Sequence, residues 1–335
     1  MYLDFFQLKD QPFRLTPDAS FLYLSPGHRR AKAYLDYTVM SRDGFVIVTG
    51  EVGSGKTTLL NRLLSEIPAD LVVAKVFQTQ LDDVDFLRAM LSELGHELYD
   101  AGKAELLNAV KSRLYENYHK GRRTLLIVDE AQNLCDEVLE EIRLLSGLET
   151  DTEKLLSLIV VGQPELNARI NAPHLEQLLQ RVRLRFHLGR LSEEETGDYI
   201  RHRLKVAGAQ RADLFDPETI PIIQEYTGGT PRLINTLCEM ALLCSYLDGW
   251  PAVIPETTRA AVEELGWGPF SERHRLQVTT DDAPDECEGP EVGGQLRAEV
   301  TRLYDAMPRF SAGIMGRLRL IEGHLRTISS ELKKR

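Results

Sequence analysis

The chain has 335 residues, 43% of them hydrophobic and 27% charged, a globular composition that excludes a fibrous or disordered protein and predicts two domains at about 100–200 residues each. Forty Lys and Arg against 51 Asp and Glu leave a net charge of −11, which argues against a surface coated in basic residues for nucleic acid and leaves only a local patch for that purpose. Four scattered cysteines (Cys135, Cys238, Cys244, Cys287) form no CxxC pair and the eight histidines show no metal spacing, so a core without staples in a reducing, cytosolic setting is expected.

The N-terminal MYLDFFQLKD lacks a basic region followed by an apolar run, and no stretch approaches the roughly 18 apolar residues of a membrane span. Neither a secretory leader nor a transmembrane segment is expected. Phe5, Phe6, Phe13 and Tyr23 read as packing residues. Gly27-His28-Arg29-Arg30, just ahead of the first strand, reads by itself as a solvated basic turn.

From Gly44 to about Leu188, short β-branched runs alternate with helical periodicity. The strands are expected at Phe45–Thr49, Leu71–Val76, Thr124–Asp129, Leu156–Gly162 and Arg183–Leu188. The first four are nearly continuous in apolar residues, as parallel strands buried on both faces must be. Helical spacing fills the gaps, as in FLRAMLSELGHEL and AELLNAVKSRLYENYHK, which predicts an α/β sheet with right-handed crossovers.

Beyond Ser192 the strand signal disappears. Ser192 with Glu195 makes a capping box, Asp216 before Pro217 marks a second helix start, and a compact helical domain is expected to about Leu265. Residues 278–294 combine Pro, Gly and six acids without periodicity and read as an acidic linker. Residues 295–335 carry nine basic residues against four acidic ones and an apolar seam at 4,3,4,3 spacing with one stutter. The seam suits a coiled coil or a helical hairpin equally, because Pro308 and three glycines interrupt it. The expected divisions are therefore 1–190, 191–275, 276–294 and 295–335.

The most specific signal is Gly50-Glu51-Val52-Gly53-Ser54-Gly55-Lys56-Thr57, which fills GxxxxGK[ST] between a strand and the helical run that begins with Thr57 and Thr58. Chemistry explains the pattern: glycines let backbone N–H groups wrap phosphates, the helix offers its positive end, Lys56 reaches the β and γ oxygens, and the Thr57 hydroxyl ligates Mg²⁺. A second element is TLLIVDEAQ, whose Asp129 and Glu130 fall at the C-terminal edge of the sheet, where open α/β sheets bind ligands. Asp129 is expected to hold the Mg²⁺ shell and Glu130 to act as general base on the attacking water. ATP and Mg²⁺ are the ligands expected.

GEVGSGKTT, LLIVDEAQNL, VVGQPEL, QRVRLRFHLGRLSEEETGDYIRHRL and TGGTPRLINTLC, behind FFQLKDQPFRLTPDASFLYLSPGHRRA, together resemble the AAA+ ATPases of the ExeA/GspA secretion type over residues 1–265. The resemblance is nearest to cytoplasmic members that accompany exosortase and exopolysaccharide loci or pilus assembly. It implies a P-loop NTPase core of five parallel strands with a helical lid. For Gly27-His28-Arg29-Arg30 it implies, on equal terms with a solvated turn, the position that holds the ligand's adenine base. It also implies that Gln163 is the polar sensor after the fourth strand, that Arg232 is a cation supplied by the lid, and that Arg181, ahead of Arg183, is an arginine placed in a neighbour's site within a homo-oligomer. The implied partners are envelope secretion or assembly proteins met through the C-terminal tail, at a cytoplasmic location or peripherally at the inner membrane. A different class, a DNA-handling regulator similar to the transposition ATPases TniB and TnsC, shares the same core motifs, but the acidic body and the N-terminal pattern favour the secretion type.

Overall fold

In the computed structural model, which describes residues 2–41, 44–77, 80–211 and 213–273, five parallel strands form one sheet. They are β1 (Phe45–Gly50), β2 (Leu71–Val76), β3 (Arg123–Val128), β4 (Ser157–Gly162) and β5 (Leu184–Leu188), in the spatial order β2-β3-β4-β1-β5. Every expected strand is present within a residue at each end. The described helices, in chain order, are α1 (Tyr2–Phe5), α2 (Pro26–Met40), α3 (Lys56–Ser65), α4 (Asp83–Glu93), α5 (Lys103–His119), α6 (Asp136–Ser146), α7 (Glu165–Ile170), α8 (Glu176–Leu179), α9 (Glu193–Val206), α10 (Thr219–Thr227), α11 (Pro231–Leu247) and α12 (Pro255–Leu265).

Strand side chains alternate between two apolar layers, as a period of two requires. Phe45, Ile47, Ala74, Val76, Leu126, Val128, Leu158 and Val160 face α4, α5 and α6. Val46, Val48, Leu125, Ile127, Ile159 and Val161 face α2 and α3. Both faces are dry, so β1 and β4 are buried along their whole length. The register pairs Ile47 with Val160 on one side and with Arg185 on the other, and this brings Gly50, Val128 and Gly162 to one edge.

Local chemistry sets the helix starts. The Ser25 hydroxyl accepts from His28 N with Pro26 in the first turn of α2, and Ser192 and Glu195 form the expected capping box of α9. The start at Asp216-Pro217 is shifted: Asp216 Oδ1 accepts from Glu218 N at 2.9 Å and closes a turn first, so α10 begins at Thr219. Helix α4 stops before Gly95, whose φ of +77° no β-carbon residue adopts cheaply.

The helical layer has its own core of Tyr199, Ile200, Leu204, Ile223, Ile234, Leu237 and Leu242 from α9, α10 and α11. Phe6, Leu8 and Phe13 belong to this core too, although sequence order groups them with the sheet. Buried Arg203 on α9 straps the N-terminal arm down, donating to Pro12 O at 2.5 Å and Arg14 O at 3.2 Å. The described residues belong to one compact unit. The acidic linker, the basic tail, its apolar seam and Cys287 lie outside the described residues.

Candidate functional site

The loop from Gly50 to Thr57 joins β1 to α3 and wraps around an ammonium group. Lys56 is buried, and its Nζ donates to Gly50 O at 2.6 Å and Glu51 O at 2.9 Å. Burial pulls its pKa down, while the charges of Glu130, Asp129 and Glu51 pull the other way. Two glycines make the wrap possible. Gly53 has φ +77° and packs so closely on the lid that an added β-carbon would lie 2.4 Å from Arg232 Cβ. Gly55, at φ +99°, is the residue from which α3 starts. Ser54 Oγ is buried against Gly50 without a hydrogen-bond partner.

Asp129 and Glu130 follow β3 at the edge reached by Gly50. Asp129 is buried, burial raises its pKa, and its Oδ2 accepts from Thr57 Oγ1 at 3.4 Å. Its Oδ1 accepts from Glu130 N at 3.0 Å. Glu130 has φ +54° and ψ +37°, a left-handed conformation that costs a non-glycine residue about 1 kcal/mol and so has to be held by its surroundings. The holding groups are amides: Gln132 Nε2 donates to Glu130 Oε2 at 2.7 Å, and Gln163 Nε2 reaches the same oxygen at 3.4 Å.

A cavity of about 370 Å³ opens over these groups. It is lined by Gly53, Gly55, Lys56, Thr57, Thr58, Glu130 and Gln163. Arg232, at the start of α11 in the lid, lines it too and packs on the loop, its backbone N–H donating to Gly53 O at 3.2 Å. Val52 lines the cavity as well, whereas the side chain of Glu51 turns to Arg190 Nη2 at 3.3 Å.

The cavity is also lined by residues to which the sequence attached no ligand role. Leu15, Pro17, Phe21 and Tyr23 of the N-terminal arm face Tyr199, Arg203 and Asn235 of the lid. Tyr199 OH donates to Asn235 Oδ1 at 2.8 Å, and the Phe21 ring lies between the guanidinium groups of Arg14 and Arg203. The run FRLTPD held the signal for this wall. Buried His28 lines the cavity too and supports the loop, its Nε2 3.1 Å from Ser54 O and its Nδ1 2.9 Å from Ser25 Oγ. Burial lowers its pKa.

Arg181 is placed elsewhere. It follows α8, and its Nη1 donates to Arg143 O at 2.6 Å and Ser146 Oγ at 3.2 Å, where α6 ends. With Arg183 it lines a second cavity of about 290 Å³ beside Gly44 and Phe45. That cavity lies at the start of β1, about 20 Å of extended chain from the loop at the end of β1. Arg181 is therefore not brought to the loop of its own chain. Among the described residues no helix is long and apolar enough to cross a membrane, and no three His, Cys, Asp or Glu gather as a metal cluster.

Residues 39–170 match the AAA domain family. Over 267 residues the chain is 40% identical to general secretion pathway protein A of Aeromonas hydrophila, covering 79% of this chain and 48% of that one, so it spans about half the length of that curated relative. Among solved structures, it superposes on Cdc6p of Pyrobaculum aerophilum with a TM-score of 0.60 at 18% identity, over 74% of this chain and 70% of that one. The ORC2 protein of Aeropyrum pernix superposes with a TM-score of 0.56 at 19% identity, over 77% and 72% of the two chains. At such identities these two share the fold and nothing further is carried over.

Proposed function

Because the chain carries an AAA ATPase domain of the general secretion pathway protein A type, we propose that it is an ATP-hydrolysing switch that energises or regulates an envelope secretion, exopolysaccharide or pilus assembly system. The observation that carries the reading is convergence: Lys56, Thr57, Glu130, Gln163 and the lid's Arg232 line one cavity. Asp129 stands behind Thr57.

The residues fit Mg²⁺ and a triphosphate. A hydroxyl and a carboxylate oxygen 3.4 Å apart are hard donors of the kind Mg²⁺ prefers, and Gly53, Gly55 and the Lys56 ammonium group line the cavity beside them. Thr57 and Asp129 would hold the ion, which when bound neutralises phosphate charge and draws electron density from the leaving oxygen. Lys56 exchanges two carbonyl partners for phosphate oxygens. Glu130 takes the proton of a water whose oxygen bonds to the γ-phosphorus as the bond to the bridging oxygen breaks, giving ADP and phosphate. Gln163 orients that water, and Arg232 supplies positive charge from the lid.

Arg181, which ends on a carbonyl at the opposite edge of the sheet, is the arginine offered to a neighbouring copy, so turnover rises with assembly. The tail beyond residue 295 carries the conformational change to the envelope partner, at the cytoplasmic face of the inner membrane. In the test, Glu130→Gln retains ATP affinity and loses about 10²–10⁴-fold in kcat. Undiminished turnover removes Glu130 from the base role. A pulldown with this trapped variant, with and without residues after 275, identifies the machine, and ATP-dependent duplex binding with steep salt sensitivity would replace it with DNA handling.

A further inference from the structure

Resting on the reading of Glu130 as general base, we infer that Gln132 is the positioning residue that aims it and links it to the end of β4. The geometry is specific. The Gln132 side-chain amide lies between two groups of opposite demand: its Oε1 accepts from the backbone N–H of Gln163 at 3.0 Å, and its Nε2 donates to Glu130 Oε2 at 2.7 Å. A backbone N–H can only donate, so the amide has one orientation, with its N–H toward the carboxylate. Gly162 leaves the room, since a β-carbon there would lie 3.2 Å from Gln132 Oε1. The backbone of Gln132 is pinned as well: Arg169 Nη1 donates to Gln132 O at 2.9 Å, and Arg169 Nη2 is paired to Asp136 Oδ1 at 2.6 Å.

Both amides engage the same carboxylate oxygen. Gln132 and the longer contact from Gln163 occupy Oε2, and among the described residues nothing donates to Oε1. One oxygen is anchored and the other is left for the proton of the attacking water. Glu130 has a left-handed backbone and is only half-buried, so its aim depends on this anchor. The Gln163 backbone holds Gln132 while its side-chain amide reaches the same carboxylate oxygen. A movement of the β4 end therefore reaches Glu130 through one rigid amide.

Gln132→Met keeps the side-chain length and removes both hydrogen bonds. We expect kcat for ATP to fall about 100-fold, the effect of misplacing a reacting group by about 1 Å, with KM and the Kd of a fluorescent ATP analogue within about threefold of the parent. In the Glu130→Gln background the same change lowers kcat by less than about threefold, because the group it aims is already gone. Equal losses in both backgrounds would overturn the inference, as would an unchanged kcat in Gln132→Met or a loss confined to Kd. Glu130→Gln measured alone keeps the two claims apart: if it retains full turnover, the base assignment itself fails, whatever Gln132 does.

Discussion

The two ends of the cavity are made in opposite ways. The phosphate end is one contiguous octapeptide, Gly50 to Thr57, supported by two consecutive acids on β3, and its groups bond mainly to one another: Lys56 to loop carbonyls, Thr57 to Asp129. The far end is assembled from the N-terminal arm and the lid, more than 170 residues apart in sequence, and is held by Arg203 reaching across to Pro12 and Arg14. Damage to the first should abolish ligand affinity and leave the fold standing; damage to the second should loosen the fold and spare the phosphates.

The largest expected effect breaks the phosphate end. Lys56→Ala removes a buried cation that the phosphates would pair with, and should weaken ATP binding by about 10³-fold, or about 4 kcal/mol, with the melting temperature of the free protein nearly unchanged. Titration with a fluorescent nucleotide and a thermal melt check both halves of that statement. Phe13→Ala attacks the other end. Phe13 is almost fully buried against Phe215 at a centroid distance of 5.7 Å, so truncation should cost about 3 kcal/mol of stability and expose the arm to protease. The comparison is sharpened by binding inorganic tripolyphosphate, whose affinity for Phe13→Ala should match the parent while that of ATP falls.

The smallest effect concerns His28, which touches the loop from outside the motif. Burial holds its pKa below the ordinary 6.5, so the fold keeps it neutral and its contribution is fully present above pH 6.5. Stability is then lost as pH falls below 6.5 toward the folded value, where the unfolded chain binds the extra proton. His202, also held down by burial, acts with the same sign, so the readout is a difference. The drop in melting temperature from pH 7.5 to pH 5.5 should be smaller in His28→Gln than in the parent.

Sequence alone determined the sheet, because strands buried on both faces must be apolar throughout, and it determined the loop from Gly50 to Thr57, because a turn that wraps around Lys56 needs its glycines and lysine contiguous in the chain. It also marked Glu130, Gln163 and Arg232, each at the end of a strand or the start of a helix. Only the tertiary structure decided which of these meet. Gln132 gained a role because the β3–β4 register sets its amide between Glu130 and the Gln163 backbone. Arg181, an arginine like Arg232, went to the opposite edge of the sheet to finish α6. The arm from Phe6 to Tyr23 became a cavity wall and part of the lid core because Arg203, a charge that burial forces to find acceptors, found them on the N-terminal backbone. Contacts of that kind depend on two segments distant in sequence satisfying each other's polar groups, and neither segment carries the information by itself.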